Sequence, residues 1–297
     1  MTEPPTAWPF SISVVIPAFN EGPRIGGVVA GVRAVVPAAE VIVVDDCSRD
    51  ETAAAAEAAG ARVIRRPHNV GNGAGVKTGA RAATGEVIVI LDADGQHDPR
   101  DIPRLLGHIG LYDMVIGERD RAGQENTLRW LGNTLINRFG SYLIEMDMRD
   151  LTSGFRAMRR AVLLEFIHLL PNTFSWPTTS ALAFGRGGYH VRFEPISVKR
   201  RAGGKSSQKL LRNGVRFGLI VLRMTSLFAP LRVYFPMAVM MVLLSLISFL
   251  VSYFVTDPGR FFLPNSSVAL GVGAIVVFMF GLLAEQIAAL RFQRRDV

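Results

Sequence analysis

The sequence predicts an α/β domain built on a mostly parallel sheet, followed by two membrane-spanning helices. Three observations predict it. Short apolar runs alternate with helical stretches over about 90 residues, the pattern of a parallel sheet covered by helices on both faces. The runs end in polar residues: Asn20-Glu21, Asp45-Asp46 and Asp92-Ala93-Asp94. Late in the chain, Val233–Val255 and Ser266–Ala284 hold 23 and 19 residues without a charge.

The elements follow in order. Ile12–Pro17 (ISVVIP) is an apolar run suited to a buried strand, and a helical stretch follows Asn20 and Glu21 to about Val35. Val41–Val44 (VIVV) is the second strand. Asp50 is placed to cap the alanine-rich helix that runs to Ala59. Arg62–Ile64 is the third strand. The glycine-rich loop Asn69–Gly75 opens a helix through Ala83; such a turn lets backbone approach a ligand and feeds a helix N-terminus. Its Lys77-Thr78 follows Val76 rather than glycine, so it is no Walker A loop. Val87–Leu91 is the fourth strand and runs into Asp92, Asp94, Gln96, His97 and Asp98. Val115–Gly117 is a further strand, Arg129–Ile144 a helix and Val191–Glu194 a late strand. Leu210–Phe228 mixes arginine with apolar residues and suits an amphipathic helix lying in a membrane interface.

The chain has 297 residues, 49% of them hydrophobic, and a net charge of +8. The two uncharged segments are each long enough for a bilayer core of ~30 Å at ~1.5 Å per residue. Residues 195–297 carry 13 Lys+Arg and 3 Asp+Glu, so +10, whereas residues 1–194 carry 20 and 22, so −2. The surplus therefore flanks the spans. This divides the chain into an α/β domain at 1–198, a basic amphipathic juxtamembrane segment at 199–232, and a two-helix hairpin with a basic tail at 233–297. The positive-inside rule turns both basic flanks to the cytoplasm and makes Asp257–Asn265 the outer loop. Lys199 and Arg200 suit anionic headgroups. The basic charge abuts the spans and no nucleic-acid motif accompanies it, so a nucleic-acid partner is not expected. Cys47 is the only cysteine, which excludes a disulfide framework and fits a reducing compartment. The N-terminal MTEPPTAWPF has neither the charged start nor the apolar core of a secretory signal. The expected location is a bacterial-type cytoplasmic membrane, with the α/β domain and both termini cytoplasmic. Two spans per chain leave room for a homo-oligomer.

Carboxylates at a strand tip repel one another unless something positive sits there. Asp92 and Asp94 are two apart, which in an extended chain puts them on one side. A divalent cation bridging them to a ligand's phosphates would cancel the repulsion, and Gln96 would add a third oxygen. Carboxylate and amide donors select Mg2+ or Mn2+. By itself Asp-x-Asp fits a loop cap equally well. His97 is read as solvent-facing or as a support for the acids. The remaining histidines lack ligand spacing, so zinc is not expected.

The motifs also occur in an order. SVVIPAFNE (Ser13–Glu21), VIVVDDCSRDET (Val41–Thr52), NVGNGAGVKTGARAATGEVI (Asn69–Ile88), the Asp92–Asp94 segment, GERD (Gly117–Asp120), DLTSGFRAMRR (Asp150–Arg160) and RAGGKSS (Arg201–Ser207) follow one another. Together they resemble the family-2 glycosyltransferases, and most closely the dolichyl-phosphate mannose synthases and bacterial polyprenyl-phosphate glycosyltransferases. The resemblance covers roughly residues 11–232. Cys47, Asn72, Gly75 and Ser207 depart from its pattern, standing where Gly, Lys, Ala and Lys are usual.

The resemblance implies a glycosyltransferase A fold (GT-A), Rossmann-like, with a nucleotide half and an acceptor half. It implies that Asp92, Asp94 and Gln96 hold the ion on the donor diphosphate. Pro17, Ala18, Asn20, Glu21 and Asp46 would contact base and ribose, with Asn69, Gly73 and Lys77 lining the neighbouring loop. Arg119, Arg129 and Arg201 would gather around acceptor and donor phosphates, and Ser206 would donate a hydrogen bond there. The implied partners are a nucleotide sugar, polyprenyl phosphate and the bilayer. A lipid phosphate is already an anion and needs no strong base. No Glu-Asp dipeptide of the kind sugar-to-hydroxyl enzymes use as base occurs here. Direct attack predicts inversion. Asn126-Thr-Leu-Arg129-Trp130 is similar to the QxxRW of polysaccharide synthases but has Asn for Gln and lies too near Arg119. The alternatives are transfer to a diacylglycerol or ceramide hydroxyl, and a catalytically silent nucleotide-binding scaffold. Among donors, GDP-mannose, UDP-glucose and UDP-N-acetylhexosamine stay open, with an edge to UDP-glucose. Phe174 and Trp176 fit either a core role or acceptor contact, and Glu285 is placed at the membrane interface.

Overall fold

The strands are β1 (Ile12–Ala18), β2 (Glu40–Asp45), β3 (Arg62–Arg65), β4 (Val87–Ile90), β5 (Met114–Arg119), β6 (Arg156–Arg159) and β7 (Val191–Ile196). They form one sheet in the order β3-β2-β1-β4-β6-β5-β7. Every strand but β6 points the same way; β6 is antiparallel to both β4 and β5. The computed structural model describes residues 8–119, 127–173, 175–198, 223–256 and 261–292, with backbone alone at 127–133, 256 and 291–292. The chain forms two compact units, residues 1–213 and 214–297.

β1 and β4 are buried at every position, and β2 at all but its first. Such continuous β-branched runs belong to strands covered on both faces. Pairing of β1 with β4 ends at Val15–Ile90, so Pro17 comes after the last rung on that side. Val15 O accepts from Leu91 N there, and Pro17, two residues on, faces the same way. Its missing N–H therefore breaks no ladder bond.

Helices α1 (Gly22–Val35), α2 (Thr52–Ala58), α3 (Asn72–Ala82), α4 (Ile102–Leu106), α5 (Thr127–Ile144), α6 (Arg160–Phe166) and α7 (Trp176–Arg186) complete this unit. α1 buries Ile25, Val28, Val29 and Val32, the i, i+3, i+4, i+7 face. The Asp50 carboxylate accepts from Thr52 N and, through its other oxygen, from Gly22 N, so it ties the first turn of α2 to the start of α1.

β6 was not expected from the sequence, and it matters for the site. Being antiparallel, it begins at the sheet edge where its neighbours end. It thereby brings the preceding segment, Asp150–Phe155, to the edge that carries the other strand tips.

The second unit contains α8 (Pro230–Val251), which continues as a π turn (Ser252–Thr256), and α9 (Asn265–Phe292). Pro230–Val255 and Asn265–Leu290 are 26 residues each, about 39 Å at ~1.5 Å per residue, and are candidate membrane spans. Met240, Leu243, Ile247, Ile275, Phe280 and Leu283 are exposed, as a lipid-facing surface requires and a core helix does not allow. Ser267, Gly271, Ala274, Gly281 and Ala288 recur at threes and fours or their sums on α9, and Ser267 exchanges hydrogen bonds with Ser245 of α8. Small residues and hydroxyl bonds are what hold helices together where burial of apolar surface drives nothing. Of the expected interfacial helix Leu210–Phe228, residues 223–228 are helical and the rest lies outside the described residues.

Candidate active site

The parallel strands deliver their carboxyl ends to one edge. There β1 leads into Asn20 and Glu21, β2 into Asp46, β4 into Asp92, and β5 ends at Arg119. Ligands of such sheets bind at this edge.

The loops after β1 and β2 are laced together. Asn20 adopts a left-handed φ of 55°; its N–H donates to Ser48 Oγ at 2.9 Å, and its Oδ1 accepts from Arg49 N at 2.9 Å. Glu21 N donates to Thr52 Oγ1 at 2.8 Å. Ala18 O accepts from Asp46 N at 2.9 Å. The buried Asp46 carboxylate accepts from Val70 N at 3.1 Å and Gly71 N at 2.7 Å, and pairs with Arg66 at 3.1 Å. Asp46 therefore shapes the β3–α3 loop from within.

That loop leans on residues 170–173 and on Trp176. A β-carbon at Gly73 would meet Pro171 O at 2.3 Å, so only glycine fits. Lys77 Nζ donates to Leu170 O at 3.1 Å. Asn69 is exposed. Trp176 is buried, which answers the open reading of that residue in favour of the core; Phe174 lies outside the described residues.

The acidic motif differs from the extended reading. β4 ends at Ile90, and Ala93–Gly95 form a turn in which Gly95 has φ 73°. Asp94 Oδ1 accepts from Gln96 N at 3.0 Å, a side-chain-to-backbone turn, so it is this turn rather than strand alternation that orients Asp94. Asp92 and Asp94 are both half-buried. His97 is not solvent-facing: it is 6% exposed, stacks on Phe155 with centroids 5.2 Å apart, and accepts the Asp92 N–H through Nδ1 at 3.3 Å. Burial pushes its imidazole below the ordinary range, against the pull of Asp92 and Asp94. It supports the acids through the backbone. Its own backbone pairs with Val198, the last described residue before the basic segment.

The segment Asp150–Arg156 supplies residues that the sequence reading quoted but gave no role. Asp150 holds Arg119 with a two-pronged ion pair, Nε to Oδ2 at 2.8 Å and Nη2 to Oδ1 at 2.9 Å, and also accepts from Arg119 N. Thr152 Oγ1 adds a fourth contact. Burial opposes the charge on both, yet the pair prevails: Asp150 is held below the usual carboxylate range and Arg119 above its ordinary value, with Asp92 adding to the latter. Arg156 is wholly buried, and burial pushes its guanidinium down to about 9, so it is charged at neutral pH. Of the other expected residues, Arg129 has its backbone in α5 and its side chain outside the description, while Arg201 and Ser206 lie outside the described residues.

The edge thus presents two partly exposed carboxylates with an adjacent amide, backed by a neutral histidine, beside a pre-aligned guanidinium. Oxygen donors of this kind suit a hard divalent cation. Comparison with known proteins gives a consistent picture. Residues 13–166 match the model of glycosyl transferase family 2, and residues 229–290 match the GtrB C-terminal hairpin. The chain is 31% identical to a dolichyl-phosphate hexose transferase of Haloferax volcanii, over 65% of this chain and 84% of that protein. It is 31% identical to an undecaprenyl-phosphate mannosyltransferase of Micrococcus luteus, over 66% and 86%. In fold it is similar to the glucosyl-3-phosphoglycerate synthase of Mycobacterium tuberculosis, solved with Mn2+, UDP and glucosyl-3-phosphoglycerate, at a TM-score of 0.57 and 23% identity, over 73% of this chain and 80% of that one. The same synthase solved with Mg2+ and UDP aligns at a TM-score of 0.59 and 23% identity, over 73% and 79%.

Proposed function

Because this chain belongs to glycosyl transferase family 2, we propose that it moves one sugar from a nucleotide sugar to polyprenyl phosphate at the cytoplasmic face of a membrane, with inversion at the anomeric carbon. The observation that carries the reading is the meeting, at one sheet edge, of the Asp92–Asp94 pair with an Arg119 aligned by Asp150. The names of the relatives support polyprenyl phosphate as acceptor, and the apolar hairpin supports a lipid one.

Asp92, Asp94 and Gln96 would hold Mg2+ or Mn2+. Among the described residues no cluster of three or more His, Cys, Asp or Glu is present, so what the protein would offer the ion is two carboxylates and an amide. When bound, the ion supplies neutralisation of charge on the departing nucleoside diphosphate. The protein's own residues do the rest. Asn20, Glu21 and the loop shaped by Asp46 receive the nucleotide. Arg119, its planar fork locked by Asp150, and the arginines Arg129 and Arg201 align anionic oxygens. Ser206 donates a hydrogen bond at the same phosphates. The acceptor phosphate oxygen attacks from the face opposite the leaving group, and no side chain has to remove a proton. The basic stretch Lys199–Arg232 docks on anionic lipid and brings the acceptor to the edge.

Membranes containing the chain, polyprenyl phosphate and a panel of nucleotide sugars, with and without chelator, test this. The expected product is an acid-labile lipid-linked sugar, lost on chelation and lost in Asp94→Ala with the fold intact. No lipid product from any donor, or full turnover by Asp94→Ala, overturns it.

A further inference from the structure

Two residues of the glycine-rich loop depart from the pattern it resembles, and each has a partner that fits the change. A β-carbon at Gly75 would stand 3.0 Å from Pro17 Cβ, so glycine lets the first turn of α3 close on the end of β1. Asn72 Oδ1 accepts from Trp176 Nε1 at 2.6 Å. A lysine at position 72 would set an ammonium donor against the indole donor, so this pairing requires an oxygen there.

Trp176 is itself fixed. It is 1% exposed, and the Arg156 guanidinium lies over its ring at 5.1 Å. A buried cation stacked on an indole face holds the ring's orientation, which directs Nε1. Arg156 Nη1 donates to Pro177 O and Ser180 Oγ, both at 2.9 Å, and Nη2 donates to Ser153 O. Asn72, Trp176, Arg156 and Ser153 thus form a continuous line of contacts. It runs from the donor-side loop to the residue before Gly154, and Gly154 abuts Asp92. Ala74 N donating to Asn172 O at 3.1 Å runs alongside it.

We propose that Trp176 is a positioning residue: through Asn72 it sets the donor-side loop in register with Asp92, and so governs affinity for the nucleotide sugar. This deepens the reading above and rests on it for the donor.

The full chain in detergent tests it with Trp176→Phe, Asn72→Leu, their double mutant and Asn72→Asp, which keeps an oxygen acceptor. Amide exchange at Ala74 reads the loop without substrate; donor KM against kcat, at saturating polyprenyl phosphate and with the best donor of the panel, reads its use. Trp176→Phe and Asn72→Leu are expected to raise both exchange and donor KM by ~5–10-fold, the weight of one such hydrogen bond. Turnover should stay within about twofold, and the double mutant should be no worse than either single one. Asn72→Asp should stay near the parent in both readouts. A loss of folded protein would lower kcat and leave donor KM alone. Unchanged exchange, or faster exchange with unchanged donor KM, overturns the proposal. If the parent chain turns over no nucleotide sugar, the transfer reading falls, and exchange together with UDP and GDP affinity decides the positioning role.

Discussion

Gly154 touches Asp92: a β-carbon there would stand 3.0 Å from Asp92 Oδ2 and 3.3 Å from Oδ1. A side chain there would press on that carboxylate, which ties the Asp150–Arg156 segment to the Asp92 motif by shape. Gly154→Ala must shift Asp92 by a few tenths of an ångström. We expect turnover to fall about tenfold, since small misplacements at a reacting centre are costly. Thermal unfolding should stay unchanged; a fully active Gly154→Ala would show that Asp92 tolerates displacement.

The Arg119–Asp150 pair predicts an acid-sensitive share of stability. Asp150 is held below its ordinary value in the folded protein. A depressed carboxylate adds stability that is fully present above the ordinary carboxylate pKa of ~3.9 and is lost as pH falls through the lower folded value. Asp150→Asn should therefore cost about 1–3 kcal/mol at neutral pH, with the gap closing below about pH 4. Unfolding curves of both proteins from pH 3 to 7 measure it. A gap that stays constant over that range would mean Asp150 is not charged in the native state.

Much of this edge could be read from residue order. ISVVIP, VIVV and VIVIL are β-branched runs buried on both faces, and nothing but a strand suits them. β6 was not legible, because RAMR carries two arginines in four residues and shows no apolar alternation. Its burial depends on Arg156 donating to the Pro177 carbonyl and the Ser180 hydroxyl of α7, a helix that begins 20 residues later. Extending the chain through Asp94 overlooks the Asp94-Gly95 dipeptide, which is a turn signal. The resemblance puts Lys77 on the loop beside the nucleotide; that its ammonium also meets Leu170 O, 93 residues away, is a tertiary fact no local pattern holds.

His97 shows how a buried histidine can act without titrating. Its Nδ1 accepts the Asp92 N–H while its ring packs on Phe155. His97→Phe keeps the stack and leaves a part-buried amide unpaired, at a cost of about 1 kcal/mol. His97→Asn offers an acceptor again and should recover part of it. Melting of the two variants in detergent separates the hydrogen bond from the packing. Equal melting would assign the stabilisation to ring contact alone.

In the hairpin, Glu285 of α9 reaches the start of α8. Its carboxylate accepts from Leu231 N at 3.1 Å, in the first turn of α8, where backbone N–H groups lack helical partners. Pro230 has no N–H to satisfy, so Leu231 is the first residue of α8 that needs an acceptor. A carboxylate at that end also meets the positive pole of the helix. Glu285→Gln keeps an oxygen acceptor and loses the charge; Glu285→Ala loses both. We expect amide exchange at Leu231, measured in lipid nanodiscs, to rise by about tenfold in Glu285→Ala and less in Glu285→Gln, matching roughly 1–1.5 kcal/mol for a helix cap. Equal exchange in all three proteins would mean the helix end is satisfied by solvent, and that Glu285 contributes nothing to holding the two helices in register.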